Sequence, residues 1–592
     1  MAEVYAIDFE TYWDDACSVI TLGPEAYVAH PFFHTICVAI HGAQGPVFSG
    51  LVSDAPWDEI LKPDNLLLAH NARFDKAVAT GSIEMAHLAE TIAPVSWFCT
   101  ADMAVNLGAG RSLKEAVADL LGEVISKDER TASKGKDLQY FQTHPEKFKS
   151  YIEYCARDAA YCYRLWETGH EKWAEDEQEL SRMNRRIGSR GIYIDTPALD
   201  KSVDTLSTLK WEAGKQIPWE WDGKKTPLSY ISAGKQCRSQ GIPPPPCLAE
   251  KNEGFIAWET KYSGQVPWVK SLRDWRKINR LEKILKTVKR RTRADGWMSY
   301  ETKYFGAHTG RFSGGGGFNI QNLPRKKSYG VDLRKLIVAP PGYKLVIVDY
   351  SQIEARILLW LAGDQATLDV VRSGVNIYEA HARQTMGWTG GALDTEDPSR
   401  YSLAKARVIG LGYGAGGPKF RVLAATYGVI LTEEEASRAV WDFRTSNPRI
   451  LALWSILERN FKWAYQAKES FELELPSGRV LTYRDITSTG RGLRARTSIS
   501  GNLTYVYGGK LVENLVQAAA RDLFTNRMLA FDEAGLDILF HVHDEYVFLR
   551  PENELKTFIG IMDAIIQEAN NISWIKGCPI GAKTDIVDQY TK

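Results

Sequence analysis

Apolar runs that stop at an acid recur along this chain. Leu345-Val-Ile-Val reads as a strand ending at Asp349, and Phe540-His-Val-His-Asp544-Glu-Tyr-Val-Phe548 reads as two strands joined by a tight turn that carries Asp544. Near the start, Met1-Ala-Glu-Val-Tyr opens a strand pattern that closes through Ala6-Ile-Asp8-Phe-Glu10-Thr11. Leu66-Leu-Leu-Ala precedes His-Asn71-Ala-Arg-Phe74-Asp75, and Val95-Ser-Trp-Phe precedes Cys99-Thr-Ala-Asp102. Elsewhere the spacing is helical. Tyr154 and Asp158 fall on one face at i and i+4, as do Lys405, Ile409 and Tyr413 in the segment from Tyr401 to Gly416. Asn376-Ile-Tyr378-Glu-Ala-His381 and Glu513-Asn-Leu-Val-Gln517-Ala-Ala-Ala-Arg-Asp522 predict two further helices. Arg186 to Asp195 predicts a helix end turning into a short extended piece.

From Lys270 to Arg293 the apolar residues Ile278, Leu281, Ile284, Leu285 and Val288 form an inward stripe. The remaining face is basic, with Arg276, Lys277 and Arg280 among its cations, and fits the backbone of a nucleic-acid duplex. Two irregular stretches are read as connectors: Pro243 to Pro246 as an exposed turn or stiff linker, and Gly314 to Gly317 as a flexible loop. The glycine run lacks the spacing of a nucleotide-binding P-loop.

At 592 residues the chain is too long for one ordinary core, so several domains are expected. With 44% hydrophobic and 25% charged residues it has the balance of a globular protein in water. No apolar run approaches the roughly 20 residues of a membrane span, and no secretory pattern opens the chain, so cytoplasmic residence is expected. Eight cysteines without CxxC pairs indicate neither a zinc ribbon nor a disulfide framework; Cys155 and Cys162 read as buried thiols. Lysine plus arginine equal aspartate plus glutamate at 73 each, so any nucleic-acid surface must be local.

Acids at strand ends suit divalent-metal phosphoryl chemistry, since carboxylates on a rigid sheet edge can bridge a pair of Mg²⁺ ions. Asp8 and Glu10, two residues apart on a strand, point to the same side. Taken in order with Asn71-x-x-Phe-Asp75 and Tyr154-x-x-x-Asp158, they resemble the DEDDy class of 3′–5′ exonucleases, over residue 1 to about 168. That resemblance implies that Asp8, Glu10, Asp75 and Asp158 hold two metal ions and that Tyr154 orients the attacking water. Asp102 and Leu113-Lys-Glu-Ala-Val match a supporting element, which implies that Asp102 is either structural or a neighbour that supports the metal ligands.

Further on, Thr309-Gly-Arg311-Phe-Ser, Asn319-Ile-Gln321-Asn322-Leu-Pro324, the Asp349 motif and His543-Asp544-Glu545 together resemble family A DNA polymerases. The fold implied is α/β and multidomain: an RNase H-like exonuclease domain over 1–172, followed by a right-hand polymerase. Its thumb would cover 173–300, its palm 301–370 and 501–592, and its fingers 371–500. Asp349, the Tyr350 carbonyl and Asp544 are implied metal ligands, with Glu545 assisting. Arg311, Gln321, Asn322, Gln517 and His543 would touch the primer-template; minor-groove acceptors are shared by all correct pairs, so such contacts sense geometry without reading sequence. Glu354 would pack beside the incoming sugar and disfavour a 2′-hydroxyl. Gln352 and Arg356 are read as either nucleotide or structural polar contacts. Lys405 suits a phosphate and Tyr413 the nascent pair.

The resemblance implies template-directed DNA synthesis from deoxynucleoside triphosphates with 3′–5′ proofreading. It also implies two Mg²⁺ ions per active site, for which Mn²⁺ can substitute, primer-template DNA as partner, replisome proteins of unknown identity, and a monomer. The Glu-Asn-Leu-Val-Gln variant and the expected absence of a 5′-nuclease domain point to a phage enzyme, acting in the host cytoplasm. Three positions depart from the family pattern. Tyr378 stands where many relatives place histidine, Tyr401 where most carry arginine, and Ile409 where an aromatic residue is common. Arg400 or Arg407 is the expected substitute for the missing arginine. These departures raise the group that serves modified-purine phage genomes, such as those with 2-aminoadenine. A dedicated exonuclease with a DNA-binding region, or a noncatalytic replication scaffold, are the alternative readings.

Overall fold

The computed structural model describes residues 3–92, 95–126, 128–219, 226–250 and 252–591. Met1 and Ala2, where the first strand pattern opens, lie outside them. The amino-terminal part is a mixed sheet of β1 (Val4–Thr11), β2 (Thr35–Gly42), β3 (Gly45–Gly50), β4 (Leu66–Ala69) and β5 (Ser96–Cys99), in the order β3-β2-β1-β4-β5. β1 lies at the centre, antiparallel to β2 and parallel to β4. Its alternate residues Ile7 and Phe9 are buried on one face, which directs Asp8 and Glu10 to the other. α1 (Ala72–Gly81) packs with Ile7 and Phe9, while on the opposite face the long α2 (Pro145–Gly169) packs across β1 and β2, bringing Tyr154 and Asp158 to the side of the two acids.

Helix α3 (Glu175–Arg190) joins this part to the rest. Two long helices, α4 (Thr196–Lys215) and α5 (Pro267–Arg291), then pack along each other. The predicted stripe of α5 is inside: Ile278, Leu281, Leu285 and Val288 are buried. A second sheet is antiparallel throughout and built from β6 (Tyr343–Tyr350) with three later strands. After β6 come α6 (Ile353–Ala362), α7 (Ile377–Thr385), α8 (Pro398–Leu411) and α9 (Gly417–Thr426). Strands Phe471–Glu474, Val480–Thr489, Gly492–Arg496 and Thr504–Tyr505 form a separate sheet. Helix α10 (Gly508–Glu533) leads back to β7 (Ile538–Val542), β8 (Glu545–Pro551) and β9 (Ala582–Val587), giving the order β7-β8-β6-β9. In β6 the run Leu345 to Val348 is buried on both faces, which is why it reads as continuously apolar rather than alternating.

Two connectors depart from expectation. The Pro243–Pro246 run is exposed at Pro243 and Pro246, as an exposed turn would be, yet it is anchored: the Pro243 carbonyl accepts the Trp258 indole N–H at 2.6 Å, and the Pro245 carbonyl accepts the Tyr230 hydroxyl at 2.9 Å. Proline carbonyls are unencumbered acceptors, so a proline run can serve as a wall as readily as a linker. The Gly314–Gly317 run is equally built in. Gly314 pairs with Thr302, and Gly315 N–H bonds the Glu301 carbonyl at 2.9 Å. A Cβ on Gly315 would lie 2.7 Å from the Glu301 side chain, so these glycines permit close approach instead of motion.

Candidate active sites

At the amino-terminal site, carboxylate oxygens of Asp8, Glu10 and Asp158 all lie within 4.8 Å of one another. β1 supplies the first two and α2, lying across β1 and β2, supplies the third. This is a set of hard oxygen donors of the kind that Mg²⁺ or Mn²⁺ takes. Tyr154 is buried beside them. Burial, then the charges of Glu10, Asp158 and Asp8, push its phenol well up, so it stays a neutral donor. Tyr151, three residues earlier on the same helix, donates to Glu10 Oε2 at 2.5 Å and stacks on Tyr154. Its phenol is likewise pushed up, by burial and then by Glu10. Sequence reasoning passed over Tyr151, though its i, i+3 spacing from Tyr154 was the available signal.

Asp75, the fourth acid of the expected quartet, stands apart from that three-residue cluster. Its carboxyl is buried and accepts the backbone N–H of Phe9, the residue between the two β1 acids, at 3.3 Å. Burial raises its pKa, with Glu10 adding to the shift. Asp102 takes Arg111 at 2.6 Å, Ser181 at 2.7 Å and Arg185 at 3.1 Å, and the last two belong to α3. It therefore ties the first sheet to the connecting helix, as its structural reading implied.

At the second site, Asp349 and Glu545 face each other across β6 and β8, and the two-residue turn His543–Asp544 brings Asp544 to the same strand end. Tyr350 N–H bonds the Asp544 carbonyl at 3.1 Å, locking the turn to β6. His543 takes a left-handed φ of 54°, which lets so short a turn close. Glu545 is buried and accepts the Tyr590 hydroxyl at 2.7 Å, so one of its oxygens is already engaged within the core.

Gln321 is buried too. Its Nε2 donates to the His541 carbonyl at 2.8 Å and its Oε1 accepts His543 N–H at 2.9 Å. The amide expected to touch DNA is thus spent on the hairpin that carries Asp544. His541 beneath it is held neutral, burial and then His543 lowering its pKa to about 3. Asn322 next door is exposed. Arg311 forms an ion pair with Glu354, and both are partly exposed. Gln517 is half-buried and bonds Glu513 at 3.3 Å.

Helix α8 packs against α7. Lys405 and Ile409 lie one turn apart on α8 and Tyr413 lies in the turn just past its end, all three partly exposed. Gly509, at the start of α10, lets that helix approach closely: a Cβ there would lie 2.5 Å from the Tyr413 carbonyl oxygen. Burial, then Glu354 and Glu513, raises the Tyr413 phenol. Tyr378 on α7 is within electrostatic reach of Asp544 and Asp349, although burial is the larger cause of its raised pKa. Of this helix pair, α7 is the member that comes within reach of the carboxylates, through Tyr378.

The profile of DNA polymerase family A matches residues 259–591, more than half of the chain. The chain belongs to DNA polymerase family A. A DNA polymerase of Bacillus phage SP02 is 26% identical to this polymerase over 99% of both chains. DNA polymerase I of Pseudomonas aeruginosa is 33% identical over 41% of the polymerase, and that of Chloroflexus aurantiacus 25% identical over 87%. The polymerase spans 24% and 54% of those two bacterial proteins. Among solved structures, the POL domain of Pol1 from M. smegmatis, in complex with DNA primer-template and dNTP, superposes with a TM-score of 0.68 at 18% identity. That match covers 100% of the polymerase and 95% of the Pol1 chain, and it establishes a shared fold.

Several cations predicted for DNA or nucleotide are engaged inside this polymerase. Arg276 donates to the Leu248 carbonyl at 3.0 Å, and burial lowers its pKa. Lys277 and Arg280 lie 3.6 and 3.4 Å from Glu250. Arg291 is buried against the Ile20 carbonyl at 2.9 Å, joining α5 to the first domain. Lys270, Lys283 and Arg290 remain on the exposed face. Arg400 pairs with Asp397 at 3.3 Å and lies over Trp388. Arg407 is buried on another side of α8, near His381 and Asp442. Neither arginine therefore joins the Lys405 stripe, for residues at i−5 and i+2 cannot share its face. Gln352, in the left-handed region at φ 47°, starts α6, and Arg356 bonds the Pro579 carbonyl at 3.0 Å. Among the described residues no helix is long and apolar enough to cross a membrane.

Proposed function

We propose that this family A DNA polymerase extends a primer on a DNA template from deoxynucleoside triphosphates and removes mispaired 3′ ends at its amino-terminal acids. The observation that carries the synthetic reading is the meeting of Asp349 and Asp544 at one strand end, within electrostatic reach of Tyr378, the ring over which the Lys405 ammonium lies. Asp349, the Tyr350 carbonyl and Asp544 would hold two Mg²⁺ ions. When bound, such ions favour the attacking 3′-oxygen and neutralise charge on the transferring and leaving phosphates. Lys405 offers a mobile cation to the triphosphate, Tyr413 a flat surface to the nascent pair, and Glu354 bulk beside the sugar.

The editing reading is supported by the Asp8, Glu10 and Asp158 cluster with its neutral phenols. Tyr154 would orient a water toward the phosphodiester, and Tyr151 would fix the Glu10 carboxylate. Asp75 would act by holding the β1 backbone between its two acids. A mismatched end frays at lower cost, which feeds the editing site selectively. The full-length similarity to the SP02 enzyme supports a phage replication role.

Primer extension and single-strand degradation, measured for the parent, Asp349→Ala and Asp8→Ala, test both halves. Asp349→Ala should lose extension and keep degradation, and Asp8→Ala the reverse. Extension by Asp349→Ala would overturn the synthetic assignment, and degradation by Asp8→Ala the editing one.

A further inference from the structure

The ammonium of Lys405 lies over two tyrosine rings, 5.4 Å from the centroid of Tyr427 and 5.7 Å from that of Tyr378. Tyr401, one turn before Lys405 on α8, braces the second ring edge-on, with centroids 5.6 Å apart and planes at 82°. Tyr427 caps α9, where its N–H bonds the Ala424 carbonyl at 2.9 Å. Tyr378 is fixed at the start of α7 by the Asn376 side chain, which accepts its N–H at 2.9 Å. Three helices thus converge on one cation, and among the described residues no ion pair involves it.

A carboxylate partner would hold the ammonium too, but it would also cancel its charge and have to be separated before an anion could bind. Aromatic faces hold a cation through the ring quadrupole and leave its net charge available. We infer that Tyr427 and Tyr378 are positioning residues, a ring cage that keeps the Lys405 ammonium placed and uncompensated for the triphosphate of the incoming nucleotide. The inference rests on the reading of Lys405 as a triphosphate ligand. Tyr427 is the diagnostic member, because Tyr378 is also within electrostatic reach of Asp349 and Asp544, so its replacement would disturb more than the cage.

The test is steady-state incorporation of single nucleotides by the full chain. Tyr427→Leu should raise KM for every deoxynucleoside triphosphate by roughly three- to tenfold, with kcat changed by less than about twofold. Tyr427→Phe, which keeps the ring, should match the parent. Replacing Tyr427 by trifluorophenylalanine, which keeps the shape and removes the negative ring face, should raise KM as leucine does. Lys405→Met should raise KM more than any of these, and adding Tyr427→Leu to it should raise KM no further. A parental KM in Lys405→Met would remove the triphosphate reading and the cage with it. A raised KM in Lys405→Met with a parental KM in Tyr427→Leu would overturn the cage alone. So would a full further rise in the double variant, or a trifluorophenylalanine enzyme indistinguishable from Tyr427→Phe.

Discussion

Asp8, Glu10 and Asp158 are gathered within 4.8 Å, flanked by two buried phenols and backed by Asp75, whereas Asp349 and Asp544 stand at the end of a sheet within electrostatic reach of Tyr378 on α7. The first site is assembled by one sheet and the helix lying on it. The second takes its carboxylates from the sheet, and the cation proposed for it comes from α8, which packs on other helices. The contrast fits the tasks proposed for them. Cleaving any 3′ end needs a fixed set of groups, while choosing among four nucleotides needs a site that the substrate helps to complete.

The sharpest way to break this comparison is to remove one acid from each site. Asp349→Asn and Asp8→Asn should each reduce their own reaction by about a thousandfold or more while sparing the other. Parallel loss of both reactions would mean that the sites are not separable.

Next in size is the link between them. Glu177 on α3 pairs with buried Arg521 on α10, as Asp102 does with Arg185 at the other end of α3. Arg521→Met strands the Glu177 charge and should cost about 3 kcal/mol, read by denaturant unfolding. Burial opposes ionisation of Glu177, but Arg521 outweighs it and holds the carboxyl at about 2 against an ordinary 4.5. Its folded pKa lies below the unfolded one, so the contribution is complete above about pH 4.5 and lost as pH falls toward 2. The acid limb of the stability profile should therefore flatten in Arg521→Met.

Smaller again is the loss of one phenol. Tyr154→Phe should slow degradation by about a hundredfold and leave extension at the parental rate. An equal loss in both would place Tyr154 in the fold instead of the editing reaction. Last, Gln321→Leu removes two bonds to the Asp544 hairpin. It should cost about 1–2 kcal/mol in unfolding free energy and slow extension more than degradation. A uniform loss would show that the clamp serves stability alone.

How much of this was legible depended on how local each signal is. The run ending at Asp349, the hairpin at Asp544 and the stripe of α5 were legible because a strand or helix imposes its own period on burial. The fates of Gln321, Arg276, Asp75 and the proline run were not. Gln321 reads as an exposed amide until β7 and its hairpin close over it 220 residues later in the chain. Arg276 reads as a free cation until residues 226–250 fold back on α5 and offer it a carbonyl. Tyr427 carried no signal at all, since nothing near it in the chain announces that α7 and α8 will bring a lysine over its ring.

By itself the sequence determined which carboxylates end strands, which helix carries Lys405 and leads into Tyr413, and the α/β character of the chain. Those are consequences of residue type and period. The tertiary structure decided which acids meet, which amides are consumed in holding the backbone, and which cations remain available. Hydrogen bonds and ion pairs are short-ranged, so a polar side chain's role is set by whatever part of the chain is folded against it.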